Sequence, residues 1–119
     1  MSYLIFVPLR LTRYHSNMIF HFPVDPVALN IPHYFDVIPK ENARDLSTIK
    51  GKLDKGLYQT SEQVNQDVML MFANAHKFNG RDSPVSNIAT ALEGTWARLY
   101  SKARASGGDG HVNKKPRYG

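Results

Sequence analysis

The chain has 119 residues, a net charge of +5 and no cysteine. This length allows one domain with a single core, and the lack of cysteine excludes a disulfide, a thiolate metal site and a cysteine nucleophile. The apolar start MSYLIFVPLRL lacks the basic region and the small-residue cleavage site of a signal peptide. Because it is also shorter than the roughly 20 residues of a membrane span, it indicates neither a signal peptide nor an anchor.

The first third of the chain has a weak helical pattern and then none. Residues 1–7 have no assigned role, and the stretch from Pro8 to Met18 is predicted to be a short first helix. Between Phe20 and Arg44 no period fits and four prolines interrupt the chain, although the stretch is rich in Phe, Val, Leu, Ile and Tyr. Long apolar loops in compact domains are usually functional, so we expect this one to pack on the domain and form part of a site.

Three stronger helices follow. The first is predicted from Asp45, its N-cap, to about residue 55, and the second from about residue 61 to residue 78, with Thr60 and Gln63 as a capping box. The third begins at Ser83-Pro84 and extends to about residue 102. The predicted fold is therefore all-α, with four helices and one long ordered crossover between the first and the second.

The end of the chain differs in composition from the rest. Residues 104–119 are rich in glycine, nearly free of aliphatic side chains and without periodicity, and they carry four Lys or Arg against one Asp. They are predicted to be a disordered basic tail, which leaves residues 8–103 as the domain. The tail could contact DNA weakly, but so short a basic run is most often a solvated end.

Asn79 is the most informative residue for function. It continues the apolar stripe of Phe72 and Ala75 at the end of its helix, so its side chain is expected to point toward an apolar interior. A buried amide needs a hydrogen-bond partner, and its NH2 suits a neutral carbonyl ligand. The local pattern Asn79-Gly80 also favours a helix end in the left-handed conformation, and the two interpretations are compatible.

The proline-rich loop offers apolar side chains and one phenol. Ligand pockets are mostly apolar with a few placed polar groups, so these residues could be pocket walls, with the Tyr34 hydroxyl holding a water. They could equally attach the loop to the core, and composition does not separate the two alternatives. The loop side chains concerned are Phe20, Val24, Leu29, Ile31 and Tyr34.

Three strings in order, PVDPVALNIPHYFDVI, DLSTIKGKL and LMFANAHKFN, resemble the bromodomain family in sequence and spacing. The resemblance covers about residues 20–102 and implies a left-handed bundle of four helices, with an acetyl-lysine pocket beside the long ZA loop. It places Asn79 on the asparagine that donates to the acetyl carbonyl, and Tyr34 on the tyrosine that reaches the same oxygen through water. Phe20, Val24, Leu29, Ala75 and Phe78 fall on lining positions, and Val85 falls on the gatekeeper position.

The sequence departs from the family pattern at three places. The family's Trp-Pro-Phe shelf reads Met18-Ile19-Phe20, the usual Pro-Met before the second string reads Ala43-Arg44, and the first helix is shorter than the family's. The strings SNMIF and LMFANA, with Trp96, are also similar to the bromodomain of fungal proteins related to TFIID subunit 2. The altered shelf bears on ligand choice, and the short helix bears on stability.

The resemblance implies an acetyl-lysine reader in the nucleus, acting on tails of histones or transcription factors within a larger transcription complex, with no cofactor and no membrane partner. Acetylation removes the lysine charge, and an unmodified ammonium would meet apolar walls without a counter-charge. The alternative is a bromodomain-shaped scaffold that no longer reads acetyl-lysine and binds a protein or DNA by its surface. Asn79 and Tyr34 favour the reader; the shelf and the short helix keep the scaffold open.

Other candidates are weaker. The five histidines show no metal-binding or catalytic pattern, so no metal and no enzymatic activity are predicted, and His76 is expected at the surface. Acidic groups around the loop are equally consistent with a solvated rim and with attraction of the basic residues that flank an acetyl-lysine. These acidic residues are Asp25, Asp36, Glu41 and Asp45.

Overall fold

The computed structural model describes residues 19–107, and every regular element in that range is helical. In chain order these elements are α1 (Tyr34–Val37), a 3-10 turn (Lys40–Asn42), α2 (Leu46–Asp54), α3 (Ser61–Asn79) and α4 (Pro84–Gly107). The three long helices begin and end within about two residues of the predicted bounds, apart from the end of α4. The predicted first helix (Pro8–Met18) and residues 1–7 lie outside the described residues.

Helix α2 begins where its free N–H groups find acceptors. The Asp45 side chain accepts from the Thr48 N–H at 3.1 Å, as an N-cap residue does. The N–H groups of Leu46 and Ser47 donate to the carbonyls of Phe20 and His21 at 2.8 and 3.0 Å. These bonds attach the start of the long loop to the N-terminus of α2.

Helix α3 carries the predicted capping box. The Thr60 hydroxyl accepts from the Gln63 N–H at 3.2 Å, and the Gln63 side chain accepts from the Thr60 N–H at 3.4 Å. A second acceptor bond from the Gln59 N–H, at 2.6 Å, strengthens the same start. The beginning of the helix that carries Asn79 is thus fixed by its own sequence.

We expect Thr60→Ala to lower the free energy of unfolding by about 1 kcal/mol, because an N-terminal N–H of α3 loses its acceptor. Urea denaturation followed by circular dichroism measures the change. Asn87→Ala, an exposed position inside α4, is the control and should change the same free energy by less than about 0.5 kcal/mol. Equal effects of the two substitutions would show that the cap does not stabilise the fold.

Helix α4 begins as predicted and ends later than predicted. Pro84 is its first residue, and the Ser83 hydroxyl accepts from the Ser86 N–H at 3.1 Å. The helix continues to Gly107, so the boundary placed at residue 103 falls inside it and the first four residues of the predicted disordered tail are helical. The apolar periodicity used to place the end of the helix does not extend past residue 103. Arg104 and Ala105 favour a helix by their own propensity, which that pattern does not detect. The rest of the predicted tail lies outside the described residues.

The core lies where α3 packs on α4, with α2 closing one side. Its members share exposures of 8% or less and include the whole apolar stripe predicted for α3. Burial of each large side chain contributes about 1.5–3 kcal/mol. The principal core residues are Leu46, Ile49, Leu53, Val64, Val68, Met71, Phe72, Ala89, Leu92 and Trp96.

The long loop is ordered by local hydrogen bonds. The Asp25 carboxylate accepts from the N–H groups of Val27 and Ala28 at 3.0 and 3.2 Å. Backbone bonds from Leu29 to Asp25 and from Ile31 to Pro26, at 3.0 and 2.8 Å, close the turn. Further along the loop, the Asn74 amide of α3 donates to the carbonyl that ends the 3-10 turn, at 2.8 Å. The crossover is therefore held against the bundle, as the sequence predicted.

Candidate ligand-binding site

Asn79 is the last residue of α3, and its amide is only partly used. The Nδ2 atom donates to the Ala75 carbonyl at 3.0 Å, one turn back on the same helix. The next residue, Gly80, has a φ of 81° and turns the chain away. A positive φ favours glycine, so Gly80 and not Asn79 takes the special conformation at this helix end. Within the described residues the second N–H of the amide has no acceptor and remains available.

As a whole residue Asn79 is exposed and its amide is part-buried, so the prediction that it points into an apolar interior is wrong. The helical stripe turns toward solvent in its last turn, because Gly80 ends the helix before another element covers it. At a helix C-terminus the backbone carbonyls lack partners within the helix, and a short amide readily bonds the carbonyl four residues back. The amide therefore lies at the edge of the apolar surface and is accessible from solvent.

Phe78 connects Tyr34 to this helix end. Its ring centroid lies 4.9 Å from that of Tyr34 and 5.1 Å from that of His33. Tyr34 is 7% exposed, and burial raises the pKa of its hydroxyl. The phenol is therefore uncharged at neutral pH and can donate a hydrogen bond. Tyr34 therefore packs on the residue that directly precedes Asn79 in the chain.

Three other predicted lining residues are at least partly covered by the core. Phe20 is 6% exposed and meets Phe72 edge to face at 5.5 Å, and Ala75 is 8% exposed. Val85 is half-buried and packs against the same core cluster from the first turn of α4. Phe20 and Ala75 consequently belong to the core, and Val85 packs against it from α4.

The two remaining loop residues lie nearer the solvent. Val24 is half-buried, whereas Leu29 is 60% exposed and its neighbour Val27 is 85% exposed. The Asp25 turn faces both Leu29 and Val27 outward. Leu29 as a wall therefore stays a prediction from the family pattern, since its exposure equally fits a surface contact.

Two of the four acidic residues around the loop accept hydrogen bonds that stabilise the local backbone, a structural role that the sequence alone did not indicate. Asp25 holds the loop turn, and Asp45 caps α2 and is 5% exposed. Asp36 and Glu41 are exposed. Asp25 is also exposed and keeps its charge, so any electrostatic attraction for a basic peptide rests on Asp25, Asp36 and Glu41 and not on the buried Asp45.

A buried ionic cluster, which sequence reasoning missed, fixes the far side of the loop. The Asp67 carboxylate accepts from Arg44 Nε at 2.7 Å, Lys52 Nζ at 2.9 Å and the Tyr58 hydroxyl at 2.5 Å. Arg44 also donates to the backbone carbonyls of Glu41 and Ala43, at 2.8 and 2.9 Å. The departure Ala43-Arg44 therefore supplies a guanidinium that joins the end of the loop to α3.

The cluster shifts two pKa values in opposite directions. Burial raises the pKa of Asp67, but the hydrogen bonds from Tyr58, Arg44 and Lys52 outweigh burial and hold it below its usual range. Burial and the bond to this carboxylate raise the pKa of the Tyr58 hydroxyl. Position 67 lies three residues after Val64 and four before Met71, on the buried face, so helical periodicity was the signal that could have revealed it.

The prediction of a surface position for His76 is wrong. Its residue is 7% exposed; Nδ1 is hydrogen-bonded to the Ser86 hydroxyl, and Nε2 lies 2.9 Å from Glu93 Oε1. The physical reason is its register, since position 76 follows Val68 and Phe72 at four-residue spacing on the face that meets α4. Within residues 19–107, no three His, Cys, Asp or Glu side chains are placed to hold a metal ion.

A helical bundle with an accessible amide and a neutral phenol beside an apolar surface has the features of a recognition module. The bromodomain family model matches residues 11–91, which is more than half of the chain, so the chain belongs to the bromodomain family. None of the helices in the described part is long and apolar enough for a membrane crossing.

Curated relatives agree. The chain is 44% identical over 81 residues to the SWR1 complex bromodomain subunit bdf1 of Schizosaccharomyces pombe, covering 68% of this chain and 14% of that protein. It is 48% identical over 77 residues to an ankyrin repeat, bromo and BTB domain-containing protein of Dictyostelium discoideum, covering 65% of this chain and 9% of that protein. The chain thus spans about a tenth of the length of these relatives.

Solved structures confirm the predicted fold, a left-handed four-helix bundle. The second bromodomain of Candida albicans Bdf1, in its unbound form, matches with a TM-score of 0.72 and 31% identity, over 82% of this chain and 91% of that one. A Leishmania donovani bromodomain complexed with bromosporine matches with a TM-score of 0.74 and 30% identity, over 84% and 81%. The closer similarity to TFIID subunit 2 relatives stays a prediction.

Proposed function

We propose that this domain is a nuclear acetyl-lysine reader that binds acetylated tails of histones or other chromatin proteins. The observation that carries the proposal is the Asn79 amide at the end of α3, with one N–H unused, on the residue that follows Phe78, whose ring packs on Tyr34. An amide donor suits the acetyl carbonyl, and the apolar rings suit its methyl group and the lysine stem.

The site also accounts for discrimination against unmodified lysine. The rings and aliphatic side chains proposed to line the site carry no charge, so an ammonium placed among them would lose its hydration without a counter-charge. Acetylation removes that charge. Because a single acetyl group offers little contact area, we expect dissociation constants in the micromolar-to-millimolar range, about 4–8 kcal/mol of binding free energy.

The name of one relative, the SWR1 complex bromodomain subunit of Schizosaccharomyces pombe, supports a place in a larger complex. An array of acetylated histone and transcription-factor peptides, each beside its unmodified twin, tests the proposal. We expect signal that depends on the acetyl group. Equal binding to both members of every pair would instead favour a scaffold that binds partners through its surface. DNA contact by the basic tail is a separate question, which the salt dependence of the affinity for DNA would test.

We expect Tyr34→Phe to weaken binding of an acetylated peptide by about three- to tenfold, a typical loss for one neutral hydrogen bond. The hydroxyl has no hydrogen bond to the described residues, so thermal stability should change little. Calorimetric titration and a melting curve measure the two quantities. Unchanged affinity would remove the Tyr34 hydroxyl from the proposed recognition.

A further inference from the structure

His76, Ser86 and the half-buried Glu93 form a cluster between α3 and α4, which begins three residues before Asn79. Ser86 is 0% exposed and His76 is 7% exposed. A carboxylate only accepts, so the Glu93 contact at 2.9 Å requires a proton on His76 Nε2. In the neutral ring Nδ1 is then an acceptor, and the Ser86 hydroxyl donates to it.

The residue types are those of a hydrolase triad, but the geometry does not serve catalysis. A nucleophilic serine must reach a substrate, whereas Ser86 has no exposed surface. Its hydroxyl is directed to the histidine between two packed helices. The cluster therefore needs another explanation than nucleophilic chemistry.

The hydrogen bonds around the turn between α3 and α4 close into a ring through this cluster. The Ser86 N–H donates to the Ser83 hydroxyl at 3.1 Å, and that hydroxyl donates to the Gly80 carbonyl at 2.9 Å. The Gly80 N–H donates to the His76 carbonyl at 2.9 Å. The His76–Ser86 side-chain bond completes the ring and joins its two ends.

Two proposed site residues are chain neighbours of this ring. Asn79 is between His76 and Gly80 in the chain, and Val85 directly precedes Ser86. A recognition group must be held within about 0.5 Å of its productive position by neighbours whose own positions are fixed. The ring is placed to do this for the amide and the gatekeeper together.

We propose that His76, held by Ser86 and Glu93, is a positioning residue that sets the place of Asn79 and Val85 for acetyl-lysine binding. The inference rests on the proposed function. It assigns a role to a buried histidine that touches no ligand and acts through the turn it closes.

Ser86→Ala tests the proposal, because it removes the side-chain bond that closes the ring. We expect an acetylated peptide to bind about tenfold more weakly, and the Gly80 amide of the ligand-free protein to exchange its hydrogen several times faster. The matched control is Asn65→Ala, which cuts another side-chain bond between α3 and α4, from Trp96 Nε1 at 2.7 Å. Asn65 is 14 residues before Asn79, about 21 Å along the helix, so the control should lose stability but keep affinity within twofold.

Two substitutions of the histidine separate its bonds. The amide of His76→Asn can replace Nδ1 and keep the Ser86 bond, whereas that of His76→Gln can replace Nε2 and keep the Glu93 bond. We expect His76→Asn to retain more affinity than His76→Gln. If either variant fails to fold, Glu93→Ala, which removes the acceptor of the Nε2 bond, is compared with Ser86→Ala, which removes the partner of Nδ1.

The outcomes separate this proposal from the proposed function. If the wild type distinguishes acetylated from unmodified peptide and Ser86→Ala changes neither affinity nor Gly80 exchange, the positioning role is overturned and the reader stands. If Ser86→Ala and Asn65→Ala weaken binding equally, the cluster is merely structural and the proposal is also overturned. If the wild type does not distinguish the peptides, the reader fails and the positioning role fails with it.

Discussion

Asn79→Ala should abolish measurable acetyl-dependent binding while leaving the domain folded. The residue is exposed and its single described bond returns to its own helix, so little stability depends on it. Binding should lose the donor to the acetyl carbonyl, a loss of about 1–3 kcal/mol or roughly 5- to 150-fold in affinity. Starting from a weak complex, that loss brings binding to the limit of detection. Calorimetric titration with one acetylated peptide, together with a melting curve, measures both.

Asn79→Asp sharpens this test, because it keeps the shape and replaces the NH2 donor by a carboxylate. It should lose the acetylated peptide and, by supplying a counter-charge, bind the unmodified one relatively better. Gln66→Ala, which removes an exposed amide from the same helix 13 residues earlier, should leave affinity unchanged. Retained acetyl-dependent binding in Asn79→Ala would show that the carbonyl is read elsewhere.

Asp67→Asn should be the most destabilising of the substitutions considered for the described part of the chain. It removes the charge on which Arg44, Lys52 and Tyr58 converge and leaves two cations without their partner. Breaking a buried ion pair costs about 3–5 kcal/mol, but Arg44 and Lys52 are partly exposed and can be rehydrated, so we expect about 2–4 kcal/mol. Asp54→Asn is the control, since the Lys50–Asp54 pair is exposed and should contribute less than about 1 kcal/mol.

The same cluster gives the stability a defined pH dependence. The pKa of Asp67 is lower in the folded state than its usual value, so its contribution is fully present above the unfolded pKa of about 4 and is lost as the pH falls through the folded pKa. Urea denaturation between pH 3 and pH 7 should therefore show a constant difference between wild type and Asp67→Asn above about pH 5, narrowing below about pH 4. A difference that persists unchanged to pH 3 would contradict the assigned pKa shift.

The sequence predicts the helices well because their signals are local. Asp45, the Thr60–Gln63 box and Ser83-Pro84 each satisfy helix N–H groups within a few residues, so the same atoms that make the pattern make the structure. The end of α4 lacked such a signal, and its boundary was placed too early.

The sequence predicts which residues belong to the candidate site better than it predicts how exposed each of them is. The family pattern predicts Tyr34, Phe78 and Asn79 as site residues, and all three lie at one end of α3. Extrapolating the stripe placed Asn79 inside, because the pattern did not take into account that Gly80 ends the helix first. Asp67 and His76 were missed because their partners lie 9 to 23 residues away in sequence. A charge or an imidazole on an apolar face is recognisable locally, whereas its partner is supplied by the fold.

The central claim is that the Asn79 amide reads an acetyl carbonyl, and nuclear magnetic resonance of its side-chain NH2 tests this most directly. The wild-type domain, labelled with 15N, would be titrated with capped acetyl-lysine and separately with capped lysine, with Asn79→Ala used to assign the signals. The account predicts that the Asn79 NH2 signals shift in a saturable manner with acetyl-lysine and stay in place with lysine. Signals that stay unmoved while acetyl-lysine binds, or that move equally with both compounds, would contradict it.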